Sequence, residues 1–185
     1  MSDASIPRLP ALAVDLLRRL PLPLLDSIVG RLVEGTADRH PSLFVRLGAH
    51  ATTTFLIDPV DLPFVIRLYP ARVERRVALA RRDKTGVCDA RIAGPLAALL
   101  GLVHGAYDGD ALFFSRDLTI EGNTEAVLAL RNAIDDAEID LSEEVLAMLG
   151  VLRAIAERPF RFLLPFAENV TGVCLARNNA GHARG

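Results

Sequence analysis

The stretch Asp108-Gly-Asp-Ala-Leu-Phe-Phe-Ser-Arg-Asp-Leu-Thr-Ile-Glu-Gly-Asn-Thr-Glu125 decides the fold. Ala111 and Leu112 lead into Phe113 and Phe114, two of the eight phenylalanines in the chain, and the apolar run stops at Ser115-Arg116-Asp117, a triplet of turn-forming residues. Leu118-Thr119-Ile120-Glu121 then alternates apolar with polar, which places Leu118 and Ile120 on one face of a short half-buried strand. Gly122-Asn123 ends that strand. Asn123 carries the side-chain oxygen of a helix N-cap, and Glu125 falls in the first turn, where a carboxylate offsets the helix dipole. Val127, Leu130 and Ile134 recur at i, i+3 and i+7 and give the helix one apolar stripe, with Arg131, Asp135 and Glu138 read as lying off it. The stripe must face the strand that precedes it.

Upstream, the sequence reads as further strands. Thr52 to Ile57 is rich in β-branched residues and is closed by Asp58-Pro59, while Phe64, Ile66 and Leu68 alternate along a second strand that stops at Pro70. Val77 and Leu79 mark a third, and Cys88, Ala90 and Ile92 alternate with Asp89 and Arg91 in a fourth. With Leu118 to Glu121 as the fifth, short connections imply that the first four pair as an antiparallel meander. Gly94-Pro95 opens a helix that is apolar all round: Leu96, Ala97, Ala98, Leu99, Leu100, Leu102 and Val103 leave no face for water. Such a helix is buried, or half buried with its other side against a hollow. Pro41 is placed to start a short helix running through His50.

Residues 1–35 read as two helices with a hinge at Pro21 and Pro23, the second carrying Leu25, Ile28, Val29, Leu32 and Val33 at helical spacing. They are either helices packed on the core or an amphipathic arm that touches a membrane surface or a partner. Near the other end, Val145, Met148, Leu149, Leu152 and Ile155 form an amphipathic helix with Ser142 as cap and Glu143 and Glu144 in its first turn. The aromatic segment Pro159 to Phe166 is too apolar to lie loose.

Half of the 185 residues, 51%, are hydrophobic, a surplus that an interior cavity or a membrane-facing patch would absorb. The longest apolar run, Pro95 to Val103, falls well short of the ~20 residues that span a bilayer. Asp3 and Asp15 interrupt the start of the chain where a signal peptide needs basic and then unbroken apolar residues, so a cytoplasmic location is expected. Two cysteines, Cys88 and Cys174, cannot build a disulfide scaffold. A net charge of −2 argues against nucleic acid as partner, and the basic block from Arg72 to Lys84 and the acidic block from Asp135 to Glu144 read as solvated faces in preference to a docking surface.

No catalytic set emerges. The four histidines, at 40, 50, 104 and 182, stand in no metal-ligand spacing, and there is no glycine-rich phosphate loop or nucleophile elbow. Asp108-Gly-Asp110 and the Asp58 and Asp61 pair read as turn and loop residues, and no cofactor or metal is expected.

The words Leu112-Phe-Phe-Ser-Arg116, Leu118-Thr-Ile-Glu-Gly122 and Thr124-Glu125, followed by the helix bearing Asn132, resemble sterol carrier protein type 2 (SCP2-like) lipid-binding domains, and among them accessory factors of bacterial ubiquinone biosynthesis. The resemblance implies an α+β fold, with a five-stranded, mostly antiparallel sheet covered by helices around a hydrophobic tunnel. It divides the chain into an amphipathic arm at 1–35, a lipid-binding domain at 36–140, and a C-terminal helix and tail at 141–185. It implies a non-catalytic role in presenting prenylated quinone intermediates for oxygen-independent ubiquinone synthesis. The UbiU and UbiV proteins and other enzymes of that synthesis are the implied partners, with peripheral contact at the inner membrane through the terminal helices. The alternatives are a general lipid carrier and an interaction module with no tunnel. On the lipid reading, the walls are Leu96, Leu99, Leu100, Val103, Phe113, Phe114, Leu118, Ile120, Val127 and Leu130, and Arg116 steers an anionic head group.

Overall fold

The computed structural model describes residues 10–72, 76–104 and 118–148, with single positions at 150 and 157. Two helices, α1 (Ala11–Arg19) and α2 (Leu22–Arg39), are followed by a short α3 (Ser42–Val45) and a 3₁₀ turn at Gly48–His50. Strands β1 (Phe55–Pro59), β2 (Phe64–Leu68), β3 (Val77–Arg81) and β4 (Ala90–Gly94) come next, then α4 (Leu96–His104), β5 (Thr119–Gly122), α5 (Thr124–Ala137) and α6 (Leu141–Met148). The architecture is α+β, an open five-stranded sheet with helices packed around it. The aromatic pair, Arg116, the Asp108 to Asp110 turn, Cys174 and the Pro159 to Phe166 segment lie outside the described residues.

The sheet order is β3-β2-β1-β4-β5, so the expected meander of four strands is only partly realised. β1, β2 and β3 do follow one another antiparallel, but β4 runs parallel beside β1, pairing Phe55 with Ala90 and Ile57 with Ile92, and β5 is antiparallel to β4. The outer edge of β3 is already occupied. The Asp26 and Glu34 carboxylates of α2 accept the backbone N–H groups of Leu79 and Arg76, each at 2.7 Å. A fourth strand cannot pair where helix side chains have taken the ladder donors, so the chain crosses over to the other side of β1. Cys88 falls before β4 and not within it.

Directly paired residues project to the same face of a sheet. The registers therefore line up Leu79, Ile66, Ile57, Ile92 and Ile120 as an unbroken apolar row across all five strands. Val77, Leu68, Phe55 and Ala90 form the next row. At Gly122 the second row ends because β5 approaches too closely: a Cβ there would lie 2.2 Å from the Asp89 carbonyl oxygen, and φ is +82°. Only glycine meets both demands.

Asn123 caps α5 as its chemistry predicts, accepting the Ala126 N–H at 3.0 Å. In α6 the cap is Asp140, not Ser142: its carboxylate accepts the Ser142 N–H at 2.9 Å and the Ser142 hydroxyl at 2.5 Å. The acidic block is not a uniformly solvated face, because Glu144 is 4% exposed. Its carboxylate accepts the Thr36 hydroxyl at 2.7 Å and Arg39 Nε at 3.0 Å, and it lies 3.2 Å from His40 Nε2. The basic block is likewise engaged, with Arg76 paired to Glu34 and Arg82 to Asp58.

Burial pushes the Glu144 carboxyl up, but hydrogen bonds from Arg39, Thr36 and His40 together with the Arg39 charge outweigh it and hold the group below the ordinary glutamate value. A carboxylate with a depressed native pKa contributes stability above its unfolded pKa and loses it as pH falls through the native one. Glu144→Gln should therefore cost about 3 kcal/mol at pH 7, the low end for one partner of a buried pair because Arg39 is partly solvated. The difference between wild type and variant should shrink on acidification below the ordinary glutamate pKa. Urea unfolding of both proteins from neutral to acid pH checks this, and a difference that does not vary with pH contradicts it.

Candidate functional site

Between the apolar face of the sheet and the helices lies a cavity of about 340 Å³. Its floor is the sheet itself, at Ile57, Ile66, Leu68, Val77 and Ile92. One wall is α4, through Leu96, Leu99, Leu100, Leu102 and Val103; another is α5, through Val127, Leu130, Arg131 and Ile134. The third is built by α2 and α3, from Val29, Leu32, Val33, Thr36, Ala37, Leu43 and Phe44, and Ile139 and Leu141 reach it from the start of α6. Thr36 and Arg131 are the two lining residues with polar side chains among those described.

The cavity exists because of how α4 and α5 divide their faces. Ala97 and Ala98, 1% and 0% exposed, let α4 sit close while its leucines turn toward the hollow. On α5, Ala126 and Ala133 are buried in the same cluster as Phe55, Ala90 and Leu118, and the larger residues of the stripe border the space left beside them. Small residues in contact and large ones around the gap are what keep the hollow from closing.

Of the residues read as walls, Leu96, Leu99, Leu100, Val103, Val127 and Leu130 border the cavity. Leu118 is buried in the core instead, and Ile120 packs against that core from its edge position on β5. Phe113, Phe114 and Arg116 lie outside the described residues. The α2 and α3 wall was not among the sequence-derived lining residues. The stripe of Val29, Leu32 and Val33 was visible, but periodicity says that a face is buried and not what it is buried against. Arg131 departs from expectation in the opposite way. At i+4 from Val127 and i−3 from Ile134 it shares their helix face, and it lines the cavity with them.

At one end of β1 stands a charge cluster that the loop reading of Asp58 overlooked. Asp58 lies within β1 and is 1% exposed. Arg82 Nη2 donates to its Oδ1 at 2.8 Å and Arg91 Nη2 to its Oδ2 at 2.6 Å, and Arg91 also reaches Glu121 at 2.9 Å. Burial pushes the Asp58 carboxyl up, but the hydrogen bonds and charges of Arg91 and Arg82 outweigh it and hold it below the usual carboxylate range. Arg82 further donates to the Pro59 and Leu62 carbonyls, so the cluster ties the β1–β2 turn to β3 and β4. Asp61 caps α4 by accepting the Leu96 N–H at 2.9 Å. These are structural clamps, and Asp58 and Arg91, which alternate with the floor residues Ile57 and Ile92, project from the other face of the sheet. Among the described residues, no group of three or more His, Cys, Asp or Glu side chains is placed to hold a metal ion.

A comparison with curated protein sequences finds no match. Among solved structures the chain is similar to one titled UbiJ-SCP2 ubiquinone synthesis protein, with 20% identity over 65% of this chain and 97% of that one and a TM-score of 0.52. It is more distantly similar to the apo form of sterol carrier protein 2 from Yarrowia lipolytica, at 15% identity over 58% of this chain and 87% of that one, TM-score 0.43. A sterol carrier protein domain of Helicoverpa armigera follows at 14% identity over 57% of this chain and 80% of that one, TM-score 0.40. Residues 46–135 match the model of the SCP-2 sterol transfer family, a span that contains all five strands, α4 and most of α5. That stretch is similar to the SCP-2 sterol transfer family.

Proposed function

We propose that this protein is a non-catalytic lipid carrier whose cavity takes the hydrocarbon chain of a prenylated ubiquinone precursor. The observation that carries the reading is the cavity of about 340 Å³ lined almost wholly by hydrocarbon, in a chain whose residues 46–135 match the SCP-2 family model. Its size lies at the lower end of the range for small-molecule sites. Burying hydrocarbon from water is worth roughly 0.8 kcal/mol per CH₂, so a five-carbon isoprene unit gains on the order of 3 to 4 kcal/mol. A chain drawn from a bilayer starts in apolar surroundings, and smooth aliphatic walls that match the bilayer are sufficient to receive it.

The quinone assignment is supported by the likeness to a structure titled as a ubiquinone synthesis protein and by the words around Leu112 to Glu125, which resemble accessory factors of the UbiT type. On that reading the chain works in oxygen-independent synthesis with UbiU- and UbiV-type partners. Leu16, Leu24 and Ile28, 63%, 48% and 43% exposed on α1 and α2, supply a surface for meeting the bilayer from which the lipid comes.

Three outcomes are expected. Native mass spectrometry of the purified protein should show a co-purifying lipid, and Leu99→Trp, which fills the cavity at an overpacking cost of about 1–3 kcal/mol, should lose it while unfolding stays cooperative. An unliganded wild type under the same conditions counts against a carrier. Leu16→Glu with Leu24→Glu should lower co-sedimentation with phospholipid vesicles severalfold; unchanged sedimentation places the membrane contact elsewhere. Deleting the gene from a quinone-making host should lower ubiquinone in cells grown without oxygen and spare it in aerated cells, and normal ubiquinone in both would sink the quinone assignment.

A further inference from the structure

A second hollow, distinct from the lipid cavity, lies where the turn between α1 and α2 meets the open end of the β2–β3 pair, a groove of about 480 Å³. Its base is apolar, from Leu17, Leu20 and Leu25 around the helix turn and Phe64 of β2. Leu25 and Phe64 are buried and Leu17 packs against them, so the core beneath holds this base in place. Arg18, Arg81, Arg82 and Asp83 supply the charged lining. Arg18 comes from the last turn of α1, and Arg81 pairs with Phe64 across the two strands and so projects from the same face of the sheet.

The cations here outnumber the carboxylates. Residues 11–25 and 81–84 carry Arg18, Arg19, Arg81, Arg82 and Lys84 against Asp15 and Asp83, in a chain whose net charge is −2. The nearby acids are engaged inside the protein: Asp26 accepts the Leu79 N–H, Asp61 accepts the Leu96 N–H, and Asp58 is covered by Arg82 and Arg91. Arg82 is therefore a clamp. Arg18 makes a long, exposed pair with Asp15 at 3.4 Å, and Arg81 pairs with no other group among the described residues. Beside them α1 turns Leu17 inward and leaves Leu16 and Leu20 exposed, one helical turn apart. Hydrocarbon at the base, leucines alongside and guanidinium groups on the rim match a lipid–water boundary, where anionic phosphates stand directly over acyl chains. The helical side of the groove precedes residue 46, where the family match begins, so the feature belongs to the added helices and not to the matched stretch.

Resting on the carrier reading of the cavity, we propose that this groove is the docking site for an anionic bilayer, with Arg18 and Arg81 on lipid phosphates and Leu16 and Leu20 in the interface. The surface then tells membranes apart by charge, which exposed leucines alone do not do.

The test uses the full-length protein and co-sedimentation with vesicles of phosphatidylcholine alone or of equal parts phosphatidylcholine and phosphatidylglycerol. Wild type should bind the anionic vesicles about tenfold or more tightly than the neutral ones, and the preference should fade as salt shortens the reach of the charges. Arg18→Ala and Arg81→Ala should each weaken binding to anionic vesicles about fivefold, and together about thirtyfold, while binding to neutral vesicles changes by less than about twofold. Arg72→Ala removes a cation from the β2–β3 connection, at the opposite end of β3, and should leave both affinities within about twofold. Equal binding to the two vesicles by wild type, no binding to either, or an Arg72 variant as weak as the Arg81 variant overturns the groove as the docking site. Displacement from the vesicles by inorganic phosphate at constant ionic strength overturns a bilayer as its occupant. In each of these cases a lipid that still co-purifies leaves the carrier reading standing, and its absence overturns that reading separately.

Discussion

Taking the Glu144 carboxylate out of water costs several kcal/mol unless cations and donors meet it, and the groups that meet it all come from the last turn of α2 and the residue beyond. The end of α2 and the start of α6 must therefore arrive together. Once they do, α2 is braced along its length: Asp26 and Glu34 reach the β3 edge, and Thr36, Arg39 and His40 reach α6. The apolar face that remains, Val29, Leu32 and Val33, has nowhere to go but over the sheet, where it closes one side of the cavity. Polar contacts at the periphery of α2 thus fix the position of a wall whose own contacts are non-directional.

This division of labour matters for a hollow protein. Hydrophobic burial rewards collapse, and an apolar space bordered by leucines gains contacts if its walls move inward. Directional bonds that fix the surrounding elements resist that movement. The Asp58 cluster does at the β1–β2 turn what Glu144 does at the end of α2, anchoring Arg82 and Arg91 across neighbouring strands. The buried alanines of α4 and α5 then set how near the helices approach the sheet, and the larger residues on either side leave the space between them.

The parts of this arrangement that were legible in the sequence are those whose cause is local. The cap at Asn123 precedes its helix by one residue, the stripe of Val127, Leu130 and Ile134 repeats within three turns, and β3 alternates as written, whereas β2 is buried on both faces at its start, with Phe64 and Val65 both covered. The all-apolar composition of Leu96 to Val103 announced a helix with no solvated face, and the family words around Leu118 to Glu125 announced the architecture. What was not legible depends on partners far along the chain. Glu144 meets Arg39 across 105 positions, so its burial leaves no trace in its neighbourhood, and the acid run around it looks solvated. β4 sits beside β1 because α2 has claimed the β3 edge, a competition between segments that no short connection reveals. Arg131 is the simpler case: its charge points to the outside, but its angle on the helix puts it with its apolar neighbours.

The two carboxylates of α2 that reach the β3 edge carry a consequence for the company this molecule keeps. An open sheet with bare terminal strands invites a second chain to add its own strand and propagate, and a sequence this rich in leucine, valine and isoleucine would feed such growth. At one margin the incoming backbone would have to strip Asp26 and Glu34 from the N–H groups they hold and bury their charge in the process. At the other, β5 offers only four residues and presents Glu121 to water. Among the described residues, strand addition is thus opposed by electrostatics on one flank and by brevity on the other, so the space over the sheet is kept without its edges recruiting a further strand.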